Sequence, residues 1–299
     1  MCKAEPVLLG DGDGFVRCAC GHLHWGVHGA AGLLLCDPKR GVLLQRRAWW
    51  VHHGRTWALP GGALRSAETP RDAAMREAKE EADVPLDAVH LTASSVVDHG
   101  TWSYTTVLGS VRRPVDARPV SAETAGMRWV QPDEVAGYPL HRDFAKAWPA
   151  LREHLDRRLV LVVDGANVVG SRPDGWWKDR AGAAARLRDR LTVIGRRGMP
   201  AMHDAVPGPE QFTWWPRVVL VVEGAARATD PVDGVEVVAA PRDGDSAIVA
   251  AVQDARTVRA ADHVVVVTAD RELRARVSAA GASTLGPLTL LEMLDTAAA

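Results

Sequence analysis

Residues 61–85 have the sequence GGALRSAETPRDAAMREAKEEADVP, and this stretch decides the fold of the first half of the chain. The pair Gly61-Gly62 permits a tight turn, because glycine has no Cβ to restrict the backbone. Thr69 is a preferred N-cap residue, and Pro70 suits the first position of a helix. The stretch therefore predicts a glycine turn followed by a capped helix.

Two faces of this predicted helix carry different chemistry. Three alanines recur every fourth residue and form a narrow apolar face: Ala74, Ala78 and Ala82. Three glutamates lie at i, i+3 and i+4 on another face: Glu77, Glu80 and Glu81. Like charges at these spacings repel, so the glutamates either form a solvated face or hold a cation. Clustered carboxylates suit a hard divalent cation such as Mg²⁺ or Mn²⁺.

The spacing around the helix resembles the signature of the Nudix hydrolases. Gly62 is followed after five residues by Glu68, and after seven more by Arg76-Glu77-Ala78-Lys79-Glu80-Glu81. The sequence departs from the family pattern at Asp83, where glycine is usual; Asp tolerates the left-handed conformation better than most residues. An ion pair between Arg76 and Glu68 is expected. The resemblance implies an α+β fold, with a mixed sheet and the glutamate-rich helix.

The resemblance also implies a reaction and a set of ligands. The reaction is hydrolysis of a nucleoside diphosphate linked to a group X, with Mg²⁺ or Mn²⁺ as cofactor. Glu80 and Glu81 are implied as direct metal ligands, Glu77 as a ligand or the base, and the Gly61 carbonyl as a further ligand. The group X is left open among nucleoside triphosphates, dinucleotides, nucleotide sugars and capped RNA.

The composition is that of a globular protein with two domains. The chain has 299 residues, 47% hydrophobic and 24% charged, with a formal net charge of −1. This charge predicts no general attraction to nucleic acid or membrane. All four cysteines lie in the first 36 residues, which argues against a disulfide framework and predicts a cytoplasmic protein. No apolar stretch approaches the roughly 18 residues that span a bilayer.

The two halves differ in their hydrophobic pattern. The first half predicts a hairpin from residues 32–37 and 41–47, further strands within 96–111 and 127–135, and a helix over 141–157. The second half contains four short apolar runs separated by helical segments: residues 159–167, 217–224, 235–241 and 262–273. Such buried runs predict a doubly wound parallel α/β sheet. We therefore predict domains at 1–157 and 158–299, with an irregular loop over about 196–216.

Carboxylates follow the predicted strands of the second half. Asp164, Glu223 and Asp270 each come at or just after the end of an apolar run, and Asp245 opens the next helix. The carboxyl ends of parallel strands share one edge of a sheet, so these acids are expected to converge there. They either cap helices or hold a metal.

The second half resembles the PIN-like nucleases of the NYN type in the segments VVDGANVVG, GDSAIVAAV and VVTADRELRARV. The resemblance implies Mg²⁺- or Mn²⁺-dependent cleavage of single-stranded RNA, with Asp164, Asp245 and Asp270 as metal ligands. Ser246 stands where many relatives have a second Asp. A non-catalytic module that binds RNA or nucleotide is therefore the alternative.

Three further groups are candidates for binding. Four tryptophans are candidates for base stacking, the alternative being structural aromatics: Trp49, Trp50, Trp57 and Trp102. Residues 171–191 contain several arginines that either contact phosphates or form a solvated face. The run Cys18-Ala-Cys20-Gly-His22-Leu-His24 alternates four metal-ligand types. In a straight strand its alternate residues are about 6.6 Å apart, too far for one zinc, unless a bend at Gly21 brings some together.

Overall fold

The computed structural model describes residues 10–19, 21–173, 175–202 and 205–298, with side chains to residue 296. The chain forms two compact units, Met1–Asp156 and Arg157–Ala299. Among the described residues, no helix has both the length and the hydropathy needed to cross a bilayer.

Residues 10–19 and 21–156, the described part of the first unit, form nine strands and two α-helices. The strands are β1 (Phe15–Arg17), β2 (Leu23–Trp25), β3 (Ala30–Asp37), β4 (Gly41–Arg47), β5 (Trp57–Ala58), β6 (Gly61–Ala63), β7 (Val89–Asp98), β8 (Ser103–Val111) and β9 (Thr124–Val130). The helices are α1 (Pro70–Ala82) and α2 (Arg142–Arg152).

Most of these strands form one mixed sheet. Its order is β7-β8-β3-β4-β5, with β6 paired to β3 and β9 paired to β4. The β3–β8 pair is parallel and the other pairs are antiparallel. The predicted hairpin is confirmed by the pairing of Cys36 with Val42. The two short strands β1 and β2 form a separate antiparallel ribbon.

The predicted helix is confirmed as α1, but the predicted turn at Gly61-Gly62 is wrong, because both glycines lie in β6 and pair with β3. Glycine is required at position 61 by the close approach to β3, since an added Cβ would lie 2.5 Å from the Ala31 carbonyl oxygen. The Thr69 side chain accepts a hydrogen bond from the Asp72 backbone N–H, and Pro70 is the first helical residue. Ala74, Ala78 and Ala82 are fully buried, and this small-residue face allows α1 to lie close to β3. Asp83 ends the helix in the left-handed conformation, with φ of 53°.

Helix α2 is shorter than predicted. It ends at Arg152 rather than continuing to residue 157, and Asp156 adopts a left-handed φ of 54° that a helix cannot accommodate. Residues 153–157 have a composition typical of a helix, but their backbone is not helical.

The second unit alternates strands and helices. In chain order it contains β10 (Leu159–Asp164), α3 (Gly165–Gly170), α4 (Arg180–Arg197), β11 (Met199–Pro200), β12 (Phe212–Trp214), β13 (Arg217–Val222), β14 (Val235–Ala239), α5 (Gly244–Val258), β15 (His263–Val267), α6 (Arg271–Ala279), β16 (Ser283–Leu285) and α7 (Pro287–Ala298).

Five of these strands form a parallel sheet in the order β14-β13-β10-β15-β16. The central strands are buried valine-rich runs, as expected for a sheet covered on both faces. From β10 the chain adds β13 and β14 toward one edge of the sheet, and it then adds β15 and β16 toward the opposite edge. The strand order therefore reverses at β10. Ligand crevices of open α/β sheets lie at such a point.

Two details of the second unit differ from the sequence predictions. The stretch 196–216 is not wholly irregular, because α4 extends to Arg197 and β11 pairs with β12. Helix α5 begins at Gly244 and is capped by Asp243, whose side chain accepts from the Ser246 N–H. Asp245 therefore lies in the first turn instead of opening the helix.

Candidate active site

Arg76 lies at the centre of the acidic face of α1. Its Nε and Nη2 atoms donate to the two carboxylate oxygens of Glu68 at 2.7 and 2.8 Å, a bidentate pair. Nη1 donates to Glu77 at 2.7 Å and to Glu80 at 3.1 Å, and Nη2 also donates to the Ala63 carbonyl at 3.0 Å. One guanidinium therefore joins β6 and the loop that follows it to the helix, and these partners raise its pKa further above the usual range. The predicted Arg76–Glu68 ion pair is confirmed.

Glu81 is a carboxylate buried beneath the surface of the site. Its side chain accepts hydrogen bonds from the Gly61 N–H at 2.9 Å and from Gln45 Nε2 at 3.1 Å. Burial, followed by the nearby charge of Glu77, raises the pKa of Glu81 to about 7. A carboxyl in this condition binds a proton or a cation readily at neutral pH.

Glu77 lies against Gly62 of β6. A Cβ added to Gly62 would lie 2.5 Å from Glu77 Oε1, so only glycine leaves room for this carboxylate. Burial raises the pKa of Glu77, although Arg76 acts in the opposite direction. Gly62 is therefore required so that Glu77, fifteen residues later in the chain, can occupy its position.

Glu80 is the accessible member of the three. Its side chain is half-exposed and pairs only with arginines, Arg76 at 3.1 Å and Arg65 at 3.6 Å. Exposed pairs of this kind contribute little to stability. Glu80 can therefore exchange an arginine for another cation at small cost, while Arg76 stays anchored by Glu68.

Two residues near the acids were not singled out from the sequence. Gln45, fully buried on β4, contacts Glu81 and leaves its own Oε1 atom without a hydrogen-bond partner. Tyr104 on β8 is partly buried, and this desolvation raises its pKa; its hydroxyl would lie 2.3 Å from a Cβ added to Gly32. The sequence signal for Gln45 was a polar residue that follows the apolar residues of β4, at a position where a buried side chain was expected.

These residues fit a divalent cation. The donors are carboxylate oxygens, and burial raises the pKa values of two of these carboxyl groups, Glu77 and Glu81. The buried Gln45 amide oxygen beside them lacks a hydrogen-bond partner. Oxygen-only sets of this type suit Mg²⁺ and Mn²⁺. The roles of Glu77, Glu80, Glu81 and the Gly61 carbonyl as ligands stay predictions.

The four candidate tryptophans occupy different environments. Trp49 and Trp50 are exposed, with 70% and 56% of their surface accessible. Trp57 lies edge-on to Tyr138. Trp102 is stacked on the His24 ring at a centroid distance of 4.0 Å, so it already has an aromatic partner.

The Cys/His run bends, as the alternative at Gly21 allowed. Gly21 has φ of +83°, and its N–H donates to the Cys18 carbonyl. Cys18 and His24 come together with His99 from the β7–β8 turn; the three ligand atoms lie within 4.8 Å of one another. Among the described residues, these are the only three His, Cys, Asp or Glu side chains whose ligand atoms all lie that close together. Cys20 lies outside the described residues.

The acids of the second unit surround one cavity of about 510 Å³. Its lining includes the four predicted carboxylates: Asp164, Glu223, Asp245 and Asp270. Burial raises the pKa values of Asp164 and Asp245, and neighbouring acids add to both effects. The convergence expected from the parallel sheet is therefore present.

Most of these acids also have structural roles. Asp164 caps α3 through the Asn167 N–H, and its other oxygen accepts from Thr268. Asp270 caps α6 through the Leu273 N–H, and Glu223 accepts from the Gly244 N–H.

Asp245 differs, because its contact is an ion pair with Arg276 at 3.5 Å. Asp245 is thus the acid at this cavity whose position is not explained by capping.

The arginine-rich segment 171–191 is occupied by internal contacts. Four of its arginines pair with carboxylates of the same unit: Arg172 with Asp295, Arg186 with Asp179, Arg188 with Asp189, and Arg190 with Asp295. Arg180 lies over the Trp176 ring at 5.4 Å. These contacts favour the solvated-face alternative over a phosphate-binding surface.

Comparison with known proteins gives a consistent result for the first unit. The NUDIX domain pattern matches residues 26–153. The chain is 46% identical over 155 residues to "Putative 8-oxo-dGTP diphosphatase 3" of Mycobacterium tuberculosis, covering 48% of this chain and 71% of that protein. It is 39% identical to a "Nucleoside triphosphate pyrophosphatase/Nudix hydrolase fusion protein" of Bifidobacterium longum, covering 48% of this chain and 32% of that protein.

The Nudix hydrolase RenU of M. smegmatis is 46% identical; the match covers 48% of this chain and 94% of that chain, with a TM-score of 0.43.

Gly62→Ala tests the close approach of β6 to Glu77. The new Cβ would force the Glu77 carboxylate or the β6 backbone to move, so we expect the affinity for Mn²⁺ to fall about tenfold or more. Isothermal titration calorimetry measures this affinity. Gly126→Ala is the matched control, since its Cβ would meet nothing within 4 Å. Equal affinity in both variants would contradict a ligand role for Glu77.

Glu81→Gln tests the burial of charge as a function of pH. In the metal-free protein the raised pKa means that ionised Glu81 costs stability, up to about 3 kcal/mol above pH 7, and the cost disappears as pH falls toward the usual value of 4.5. We therefore expect Glu81→Gln to raise the metal-free Tm at pH 8 and to have little effect near pH 4.5. Glu134→Gln, at an exposed position, is the control. Destabilisation at pH 8 would contradict the raised pKa.

Proposed function

We propose that this chain, which belongs to the Nudix family through residues 26–153, hydrolyses a diphosphate linkage in a nucleotide with Mg²⁺ or Mn²⁺ as cofactor. The observation that carries the proposal is the acidic face of α1 held beside the glycines of β6. A polyphosphate would be repelled by this face, so the acids are compatible with such a substrate only through cations.

The residues divide the chemistry between them. Glu80 and Glu81 are the proposed ligands, with Glu77 as a ligand or the base. Arg76 positions Glu77 and Glu80, whereas Gly61 and Gln45 position Glu81. A bound divalent ion would neutralise phosphate charge and lower the pKa of water. In the hydrolysis the oxygen of a water molecule bonds to phosphorus, the bridging P–O bond breaks with its electron pair leaving on the departing phosphate, and the proton of the water passes to a carboxylate. Burial raises the pKa of Glu81 to about 7 and also raises that of Glu77, which favours proton uptake by these two groups.

The name of one relative suggests the substrate class. A protein 46% identical to this chain is called a putative 8-oxo-dGTP diphosphatase. We propose a purine nucleoside triphosphate as substrate, split into nucleoside monophosphate and pyrophosphate, and 8-oxo-dGTP is the first compound to test. Dinucleotides, nucleotide sugars and capped RNA complete the panel.

Glu80→Gln tests the reaction. The substitution keeps the size and helix propensity of Glu80 but removes a charge that we assign to the metal, so turnover should fall about 100-fold or more while the Tm stays unchanged. The measurement is release of pyrophosphate and phosphate from the nucleotide panel with Mg²⁺ and with Mn²⁺. Glu134→Gln, an exposed glutamate outside this face, should keep full activity. Wild-type turnover in Glu80→Gln would remove this residue from the mechanism.

We propose a second activity for the second unit: metal-dependent cleavage of single-stranded RNA, with Asp164, Asp245 and Asp270 as ligands. The convergence of four carboxylates on one cavity, with raised pKa values for Asp164 and Asp245, supports it. The half-exposed Trp176 on the same cavity offers an aromatic surface to a base. The alternative is a module that binds RNA or nucleotide without cleaving it.

Asp245→Asn separates these alternatives without disturbing a helix cap. In a Glu81→Gln background, which weakens the first metal site, we expect Mn²⁺ to raise the Tm and Asp245→Asn to reduce that rise. Mn²⁺-dependent cleavage of a labelled single-stranded RNA should be lost as well. Asp254→Asn, on the exposed part of the same helix, is the control. RNA binding without cleavage favours the binding module, and no effect of Mn²⁺ would exclude the proposed metal site.

A further inference from the structure

A group of sulfur and nitrogen donors lies in the first unit, apart from the glutamates of α1. Cys18 and His24 are buried, and His99 is half-buried. His24 Nε2 lies 3.2 Å from Cys18 Sγ, and the ring centroids of His24 and His99 are 4.8 Å apart. The three ligand atoms all lie within 4.8 Å of one another. In a tetrahedral zinc site neighbouring ligand atoms are about 3.5 Å apart, so this group is close to that size.

The group is held by the fold from two directions. Cys18 and His24 belong to the β1–β2 ribbon, in which Val16 pairs with His24. The Cys18 N–H donates to the His22 carbonyl at 3.0 Å and closes the turn between the two strands. His99 comes from the distant β7–β8 turn, where its N–H donates to the Trp102 carbonyl at 2.8 Å.

Trp102 fixes the orientation of the central ligand. Its ring is stacked on His24 at 4.0 Å with an interplanar angle of 12°, and its Nε1 donates to the Trp25 carbonyl at 3.2 Å. Outer-shell contacts of this kind orient metal-binding imidazoles and raise affinity. The site is therefore a built arrangement of ligands with a supporting aromatic, rather than a chance meeting of side chains.

We propose that Cys18, His24 and His99 of the reduced protein bind one Zn²⁺ ion that joins the β1–β2 ribbon to the β7–β8 turn. One thiolate and two imidazoles form the soft, nitrogen-rich donor set that zinc prefers to Mg²⁺. Three protein ligands leave a fourth tetrahedral position for water. The site is distinct in chemistry from the oxygen donors of α1, and it does not depend on the hydrolytic activity.

Cys18 is disulfide-bonded in the structure, so zinc binding is tied to reduction. A thiol or phosphine reductant supplies two electrons, and two protons are taken up as the disulfide becomes two thiols. The Cys18 thiol then releases its proton as the S–Zn bond forms. The reduced chain binds the metal, and the oxidised chain keeps the disulfide instead.

Cobalt substitution in the full-length protein tests the proposal. The chain is treated with a phosphine reductant, stripped of metal and titrated with Co²⁺ in excess Mg²⁺, which occupies oxygen sites. We expect one Co²⁺ per chain, with a sulfur-to-cobalt charge-transfer band and the strong visible bands of tetrahedral cobalt. Zn²⁺ should displace the Co²⁺. The oxidised chain should show neither band.

Variants assign the bands to residues. Cys18→Ser should abolish the charge-transfer band, whereas Cys36→Ala should keep it, because Cys36 is buried in β3 away from the group. His99→Gln, at a half-buried turn position, should lower Co²⁺ affinity about tenfold or more. His28→Gln, an exposed histidine, should leave it unchanged.

Absence of the charge-transfer band in the reduced wild type would overturn the proposal. So would a band that persists in Cys18→Ser or Co²⁺ affinity that is unchanged in His99→Gln. Nucleotide hydrolysis is not a readout of this experiment, so failure here leaves the proposed hydrolase function untouched.

Discussion

The first unit depends on one guanidinium. Glu77 and Glu80 lie within one helical turn of each other, and this arrangement would be unfavourable without a counter-charge. Arg76 supplies it, and through Glu68 and the Ala63 carbonyl it also fixes the turn that precedes the helix. The same contact therefore neutralises the acids and sets their distance from the glycine backbone. If Glu80 bound a cation, Arg76 would lose that contact but would keep its hydrogen bonds to Glu68 and to the Ala63 carbonyl, which hold it in place.

The fold buries the Glu81 carboxyl beside neutral hydrogen-bond donors instead of beside a basic side chain. The carboxyl is buried with hydrogen bonds from Gly61 and Gln45 but with no direct ion pair, and its pKa is raised to about 7. Its ionised form destabilises the metal-free protein, and a bound cation would reverse that effect. Affinity for the cation and loss of intrinsic stability thus have the same physical origin. A residue optimised for folding at this position would be apolar or neutral.

Local signals in the sequence predicted local structure well. Thr69 and Pro70 start α1 as expected, the 32–47 hairpin forms, and the apolar runs of the second unit become a parallel sheet. The misses depend on tertiary contacts. His99 joins Cys18 only because two distant turns meet, and no spacing within one segment contains that information. Likewise, β16 is too short for its pattern to stand out, since its pairing with β15 is what makes it a strand.

Clustering of acids is stronger evidence for cation binding on α1 than at the sheet edge of the second unit. Glu77, Glu80 and Glu81 lie inside or at the end of a helix, where none of them caps a helix N-terminus, so their grouping calls for a cation or an arginine. Asp164 and Asp270 instead lie where a parallel sheet places the start of each following helix, and both cap one. A doubly wound sheet brings such caps to one edge whether or not a ligand binds. The informative acid in the second unit is therefore Asp245, which lies at the same edge without capping a helix and has a raised pKa beside other carboxylates.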